Sequence, residues 1–347
     1  MKAVNPWNLV DRLVLGCLLA LLAFSSRQAE ARNVTVSLSV PGAYRSIGEA
    51  ILAIGKDGGT VRLAPGVWRE KLTVAANGIT LIGLGAKPAD TVIEWSDSSK
   101  TAGGTFKSAT LTVTGDEFTM ANLTVRNGWG LKLENPPSQA VALAVTGDKA
   151  YFEQVDLIGR QDTLYANKGL NGRMARQYFS ECFVEGHVDF IFGNAKAFFN
   201  RCRIHAAAWP MVMLTAQSRN ASNEDSAFVF DRCRVTAESG TGEIWLGRPW
   251  RDYSRVIFLD TRMDTKIVPA GWREWTPGTT NRLPLAFYAE YRSQGIGASP
   301  HQRVATSHQL DARQAREWRA DRFFAGDTGW INAARKAVRS ELSHIRR

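Results

Sequence analysis

Two aspartates in similar sequence surroundings are the residues of this chain best suited to acid–base chemistry. Asp162 lies seven residues after Val155, and Asp189 lies seven residues after Cys182, in the similar segments YFEQVDLIG and YFSECFVEG. Residues at equal offsets in stacked repeats are near neighbours, and two carboxylates about 4.8 Å apart repel. One carboxyl group therefore holds a proton while the other stays ionised, which is what a general acid and a nucleophile require.

The residues around the two aspartates favour different roles for them. Asp189 sits in the apolar run Val188–Gly193, where an unpaired carboxylate is expensive to bury. Asp162 follows Gln161, whose side-chain amide could donate a hydrogen bond to a developing oxyanion. Aspartates also form turns and ladders in solenoids, but the shared offset of this pair favours catalysis.

The segments that contain these offsets belong to a repeat that predicts the fold. FFNRCRIHA and VFDRCRVTA continue the pattern, so that Val155, Cys182, Cys202 and Cys233 are anchors separated by 27, 20 and 31 residues. Repeats of this size, made of β-rich runs with loops of variable length, predict an all-β parallel β-helix. With no linker inside the repeat region, residues 32–347 form a single predicted domain.

Two further predictions concern the ends of this domain. Ser46 and Glu49 form a capping-box pattern, followed by apolar residues at helical spacing through Ile54. This predicts a short N-terminal helix that covers one end of the core. Residues 311–347 are Arg-rich and helix-prone, and they predict a helical C-terminal tail.

The anchors also predict a disulfide. If Cys182 and Cys202 stack on consecutive coils, their Cα atoms lie within the usual range for a bridge, about 4.4–6.8 Å. We therefore expect a Cys182–Cys202 disulfide with Cys233 left over. The alternative is that all three cysteines are reduced and packed as small apolar side chains.

The N-terminus has the pattern of a targeting segment. Lys2 and Arg12 precede the apolar run Leu13–Phe24, and Ala29–Ala31 supplies small residues at a cleavage site. The run is short for a bilayer span, so residues 1–31 are predicted to be a signal peptide rather than a membrane anchor. Secretion to an extracellular or periplasmic, oxidising compartment follows, with a retained anchor as the alternative.

The overall charge favours an acidic partner. The chain has a net charge of +10, which suits nucleic acid, anionic lipid or an acidic polysaccharide. No sequence motif supports nucleic acid, and the histidines and cysteines lack metal-ligand spacing. We expect no cofactor, no metal and a monomeric protein.

Three longer motifs resemble the signatures of pectin methylesterases. They are Gln161–Tyr165 (QDTLY), Gly186–Gly193 (GHVDFIFG) and Leu246–Trp250 (LGRPW), in the order found in that family. Shorter matches occur at GVWRE (66–70), QAVAL (139–143), TAQ (215–217) and EY (290–291). The resemblance implies a right-handed parallel β-helix of the pectin-lyase type that hydrolyses galacturonate methyl esters in pectin and releases methanol.

The resemblance also implies roles for individual residues. Asp189 would be the nucleophile, Asp162 the general acid and base, and Gln139 and Gln161 the oxyanion hole. Arg248 would hold Asp189 ionised and oriented. Substrate-binding residues would be Trp250, Thr110, Tyr165, Val188, Phe192 and Trp272. His187 departs from the small or short polar residue common at its position, which places it beside the cleft rather than in the chemistry.

Other functions on the same scaffold are less well supported. A calcium-dependent pectate lyase needs several acidic metal ligands, whereas this site has two carboxylates, two glutamines and an arginine. A non-catalytic glycan-binding solenoid has no need for two aspartates at equal offsets. A divergent ester or thioester hydrolase with a non-pectin substrate remains the main alternative.

Overall fold

The computed structural model describes residues 32–132 and 134–343, and these residues form a parallel β-helix. The predicted signal peptide at 1–31 lies outside them. All strand pairs within this part of the chain are parallel, and they form three long rows. The prediction of an all-β solenoid is therefore confirmed.

The first row runs the length of the molecule. Its strands are β1 (Arg32–Val36), β2 (Gly59–Leu63), β5 (Ile79–Gly83), β8 (Thr119–Asn127), β10 (Ala150–Ile158), β12 (Arg176–Ser180), β15 (Lys196–Asn200), β19 (Ala227–Asp231), β22 (Arg255–Leu259), β24 (Phe287–Tyr291) and β25 (His308–Gln309).

The second row shares the long strands β8 and β10 with the first. Its other strands are β3 (Gly66–Trp68), β6 (Thr91–Trp95), β13 (Phe183–Gly186), β16 (Arg203–Ala206), β20 (Arg234–Ala237) and β23 (Arg262–Met263). The third row contains β4 (Leu72–Val74), β7 (Leu111–Val113), β9 (Leu143–Val145), β11 (Leu164–Ala166), β14 (Ile191–Gly193) and β18 (Thr215–Gln217). Beside it lie the paired strands β17 (Met211–Met213) and β21 (Glu243–Trp245).

The helical elements are short and few. The helices are α1 (Ile47–Ile54), α2 (Ser99–Ala102), α3 (Ala312–Glu317), α4 (Ala320–Phe323) and α5 (Gly329–Ser343). Single 3-10 turns occur at Gly55–Asp57, Pro88–Asp90, Thr105–Ser108, Trp129–Leu131, Leu170–Gly172 and Pro300–Gln302.

The strand register confirms the repeat intervals read from the sequence. Asp156 pairs with Phe183, Phe183 with Arg203, and Arg203 with Arg234, which gives steps of 27, 20 and 31 residues. Equivalent side chains therefore stack inside the solenoid. Phenylalanine rings form one such stack, with centroids 4.6–4.7 Å apart: Phe152, Phe179, Phe199, Phe230 and Phe258.

The three stacked cysteines are free, buried thiols, which corrects the prediction of a Cys182–Cys202 bridge. The Cys202 Sγ lies 3.4 Å from the carbonyl of Phe179, and the Cys233 Sγ lies 3.3 Å from that of Phe199. In-register parallel strands hold equivalent side chains side by side, about 4.8 Å apart. A disulfide needs Cβ atoms about 3.8 Å apart, so proximity of the Cα atoms alone did not suffice.

A left-handed backbone residue precedes each anchor and turns the chain from the first row to the second. The φ angles lie between 46° and 55° at Gln154, Glu181, Arg201, Arg232, Asp260 and Arg292. Glycine and asparagine are the usual residues in this conformation, which costs free energy for other side chains. Stacking of consecutive coils fixes the turn here in spite of that cost.

The predicted helices are present at both ends. α1 starts at the cap Ser46, whose Oγ accepts the N–H of Glu49 at 3.1 Å. The Glu70 carboxylate accepts the N–H groups of Ile47 and Gly48 at 2.7 and 2.9 Å, the position of an anion favoured at a helix N-terminus. At the other end, α5 packs along the first row through buried Val338. No helix in the described ranges is long and apolar enough to cross a membrane.

Candidate active site

Asp162 and Asp189 lie on consecutive coils and line one cavity. The pairs that flank them, Ile158 with Glu185 and Leu164 with Ile191, keep the same 27-residue step. Both aspartates have left-handed backbones, with φ of 65° and 51°. Non-glycine residues in this region cost of order 1–3 kcal/mol and cluster at functional sites. The backbone strain therefore lies at the two aspartates that the sequence predicts to be catalytic.

Arg248 holds the carboxylate of Asp189 in a two-point ion pair. Its Nε and Nη2 atoms donate to the two carboxylate oxygens at 2.9 and 2.7 Å. Gly247 allows this approach, because a Cβ atom there would lie only 2.0 Å from the Thr215 Oγ1. The backbone N–H of Arg248 donates to the Thr215 carbonyl at 3.0 Å, which joins the segment of Arg248 to the preceding coil.

Burial and mutual repulsion separate the protonation states of the two aspartates. Burial, followed by the charge of Asp189, raises the pKa of Asp162 well above its ordinary value. Burial also raises the pKa of Asp189, but the hydrogen bonds and charge of Arg248 oppose that rise. The proton shared by the pair therefore belongs on Asp162, and Asp189 is the anion.

Two glutamine amides border the same cavity. Gln139 and Gln161 are half-buried, and neither side chain has a hydrogen-bond partner in the described ranges. The backbone positions both, since the Gln161 carbonyl accepts the Ala140 N–H at 3.0 Å and the Gln139 carbonyl accepts the Ser99 N–H at 2.8 Å. Their NH₂ groups are free to donate to an oxyanion formed beside Asp189.

The cavity has a volume of about 310 Å³ and an aromatic wall. Phe192 packs 4.8 Å from Tyr165 and 5.9 Å from Trp250, measured between ring centroids. Trp250 stacks on Trp275 at 6.4 Å. The lining residues are Thr105, Phe106, Gln139, Gln161, Asp162, Asp189, Phe192, Ala216, Arg248, Trp250 and Trp275. Such rings suit the apolar faces of sugars.

Trp275 takes the place that the sequence assigned to Trp272. The Trp275 ring lies 4.3 Å from the guanidinium carbon of Arg248 and borders the cavity. Trp272 is fully buried in the core, stacked on Tyr288 at 4.0 Å, so the prediction of a substrate contact there is wrong. Both tryptophans lie within four residues after Gly271, and no local pattern distinguished the buried Trp272 from the half-buried Trp275.

Three other predicted substrate residues lie behind or beside the wall. Thr110 is fully buried and donates to the Arg126 carbonyl at 3.0 Å, so it has no surface for a substrate and that prediction is corrected. Tyr165 is half-buried behind Phe106, at 4.6 Å. Val188 is half-buried beside the cavity, and its carbonyl accepts the Asp162 N–H at 3.1 Å.

His187 is a buried structural residue next to the site. Its ring stacks on Trp209 with centroids 4.5 Å apart, and its Nδ1 accepts the Val188 N–H at 2.8 Å. Burial lowers the pKa of His187 to about 4, so the ring is neutral near neutral pH. The part of the chain that the structure describes has no group of three or more His, Cys, Asp or Glu side chains arranged for a metal ion.

Comparison with known proteins identifies the family to which this chain belongs. Residues 33–327 match the Pectinesterase family model. Pectinesterase QRT1 of Arabidopsis thaliana is 35% identical over 277 residues, which cover 78% of this chain and 70% of that protein.

Solved structures are similar in fold as well as sequence. Pectin methylesterase from carrot has a TM-score of 0.78 and 31% identity, over 87% of this chain and 95% of that one. A pectin methylesterase in complex with hexasaccharide VII has a TM-score of 0.70 and 29% identity, over 86% and 98% of the two chains. This chain belongs to the pectinesterase family of carboxylic ester hydrolases.

Proposed function

We propose that this protein hydrolyses galacturonate methyl esters in pectin, with Asp189 as nucleophile and Asp162 as general acid and base. The observation that carries the proposal is the two-point Arg248–Asp189 ion pair beside a second, buried carboxyl group whose pKa is raised. Two glutamine amides that have no hydrogen-bond partner among the described residues, together with an aromatic wall, complete a site suited to a sugar ester.

The first half of the reaction forms an acyl-enzyme. A carboxylate oxygen of Asp189 attacks the ester carbonyl carbon, and the carbonyl oxygen becomes an oxyanion stabilised by the amides of Gln139 and Gln161. Collapse of this intermediate breaks the bond to the methoxy oxygen. That oxygen takes the proton of Asp162 and leaves as methanol, with the galacturonate acyl group now joined to Asp189 as an anhydride.

The second half releases the acid and restores the starting protonation state. Asp162, now ionised, removes a proton from water as the water oxygen attacks the galacturonate acyl carbon. The bond to Asp189 breaks and returns its carboxylate to Arg248. One ester and one water are consumed, and one galacturonic acid and one methanol are formed.

The charge of the chain fits this substrate and product. De-esterified pectin is a polyanion, and a net charge of +10 holds a soluble enzyme near it at low ionic strength. Binding should weaken as salt rises, because exposed charges are screened. Residues 1–31 have the sequence pattern of a signal peptide, and export would bring the enzyme to this polymer. We expect it to act there as a monomer.

Methanol release from highly methylated pectin tests the proposal. Asp162→Asn should lower kcat by about 10²–10⁴-fold, as loss of a general acid does, and Asp189→Asn should lower it at least as much. Asp156→Asn is the matched control, since Asp156 is a half-buried aspartate on the coil of Asp162 and outside the cavity.

Two outcomes would contradict the assignment. Near-normal methanol release by either the Asp162 or the Asp189 variant would remove that residue from the mechanism. A wild-type protein that is inactive on pectin and active on a small ester or thioester would favour the divergent hydrolase.

A further inference from the structure

A cavity of about 320 Å³ lies beside α5, at the edge of the solenoid where the chain turns from the first row to the second. It shares no lining residue with the proposed active site, which lies between the second row and the third. Four arginines border it: Arg201, Arg232, Arg335 and Arg339. We propose that this cavity binds a phosphate group, either as the free ion or as a monoester. The site is independent of the esterase activity proposed above.

Two of the arginines stand at equivalent positions on consecutive coils. The register that pairs Arg203 with Arg234 also places Arg201 and Arg232 at the same turn, one coil apart. Neighbouring strands are separated by about 4.8 Å, and like charges directly opposite each other on such strands are destabilising. An anion held between the two guanidinium groups would replace this repulsion with attraction.

The other two arginines lie one turn apart on α5. Arg335 and Arg339 have the i, i+4 spacing that brings two side chains to one face of a helix, where like charges again repel. Arg232 has an ion pair with Asp231 at 3.1 Å. Arg201, Arg335 and Arg339 have no ion pair among the described residues. Three of the four cations are therefore available to an anionic ligand.

Two glutamates also border the cavity, and they leave it cationic. The Tyr151 hydroxyl donates to the Glu153 carboxylate, and the Gln154 Nε2 donates to the Glu181 carboxylate at 3.4 Å. Neither glutamate forms an ion pair within the part of the chain that the structure describes. Four arginines against two glutamates leave the lining with a net charge of +2. A phosphate group carries a charge of about −1.5 to −2 at neutral pH and would neutralise it.

A buried hydroxyl group in the lining indicates an oxygen ligand. Ser180 is only 5% exposed, and it borders the cavity. Its hydroxyl has no hydrogen-bond partner among the residues that the structure describes. Since buried polar groups in proteins are nearly always hydrogen-bonded, a phosphate oxygen would supply the acceptor that this hydroxyl lacks.

The number of donors favours a phosphate group over a carboxylate or a sugar ring. In the proposed active site, Arg248 alone satisfies both carboxylate oxygens of Asp189. Here four guanidinium groups and one hydroxyl surround a single cavity, which suits the three acceptor oxygens of a phosphate monoester. Tyr178 is the aromatic residue of the lining, and it is only 5% exposed, so its ring has no open face for a sugar.

The helix that borders the cavity is held in place by contacts outside it. Arg62 Nε and Nη2 donate to the two carboxylate oxygens of Glu341 at 2.7 and 2.9 Å, which joins the end of α5 to β2. The Arg335 guanidinium lies against the hydroxyl groups of Tyr151 and Tyr178. The arginines of α5 are therefore positioned before an anion binds, which reduces the entropy lost on binding.

Calorimetric titration with inorganic phosphate, at constant ionic strength, tests this site. In the double variant Arg201→Gln with Arg339→Gln, the dissociation constant should rise about tenfold or more, because two charge-assisted hydrogen bonds are lost. Ser180→Ala should weaken binding by about twofold to tenfold without changing the charge. Glycerol phosphate, titrated in parallel, distinguishes a phosphate group carried on a larger molecule from the free ion. A thermal melt of each variant verifies that it is folded.

The control removes the same charge elsewhere on the C-terminal helices. Arg313→Gln with Arg322→Gln changes two exposed arginines that lie outside the cavity and have no ion pair among the described residues. This control should bind phosphate as the wild type does. Absence of phosphate binding by the wild type, equal loss in both double variants, or equal affinity for galacturonate would overturn the proposal. The titration needs no turnover, so it does not depend on methanol release.

Discussion

Replacement of Arg248 by glutamine tests the electrostatic basis of the proposed mechanism. The substitution removes two hydrogen bonds, of 2.9 and 2.7 Å, from a carboxylate that is only 5% exposed. Breaking a buried ion pair by removing one partner costs about 3–5 kcal/mol. The charge of Asp189 would then be opposed by burial with no cation beside it to offset that cost.

The magnitude follows from the relation between free energy and protonation. Since about 1.4 kcal/mol corresponds to a tenfold change, the ionised fraction of Asp189 falls by about a hundredfold or more in acidic solution. Arg248 lowers the pKa of Asp189, so its loss raises that pKa. The nucleophile must be ionised, and the acid limb of the activity profile therefore moves to higher pH.

The assay is kcat for methanol release from highly methylated pectin, measured across pH for wild type and Arg248→Gln. We expect a loss of about a hundredfold at acidic pH and partial recovery as pH rises. Arg248→Lys should lie between them, because lysine keeps the charge and lacks the planar fork. Arg313→Gln, an exposed arginine on α3, controls for net charge. A uniform loss at every pH, with an unmoved acid limb, would refute the electrostatic role.

Four further predictions concern the cleft, the core and the first helix. Trp275→Ala should raise KM without lowering Tm. Trp272→Ala should lower the free energy of unfolding in urea by about 3–5 kcal/mol. The reverse pattern would show that Trp272, and not Trp275, contacts the substrate. A reducing agent should leave Tm unchanged because Cys202 and its neighbours are thiols, and a fall of several degrees would indicate a bridge. Glu70→Gln should cost about 1 kcal/mol at the start of α1, and an unchanged urea midpoint would contradict its capping role.

The sequence predicted the solenoid because its repeats preserve interior side chains in register. Asp162 and Asp189 have the same offset from their anchors, and their proximity then followed from a single rule, that equivalent positions stack. The left-handed turns could not be predicted in the same way. Glu181 and Arg201 stand at such turns in place of glycine or asparagine. The neighbouring coils therefore impose a backbone conformation that the local sequence does not favour.

Side-chain direction was the second limit of the sequence. Trp272 and Trp275 lie three residues apart, and only the path of the chain after Gly271 sends one into the core and the other to the cavity. The disulfide prediction was wrong for a related reason. The repeat gives the spacing of the cysteine Cα atoms, but it does not show that the cysteine side chains lie side by side and point in the same direction.

The first coil has a consequence for the behaviour of the protein in concentrated solution. A stack of parallel strands ends in unpaired N–H and C=O groups, and an open end of this kind is a template for another chain. α1 packs over β1 and β2 with buried Ile47 and Ile54, and β25 at the opposite end is only two residues long. The helix covers one end of the strand stack and the last strand is very short, so each end offers few unpaired backbone groups for pairing with a second molecule.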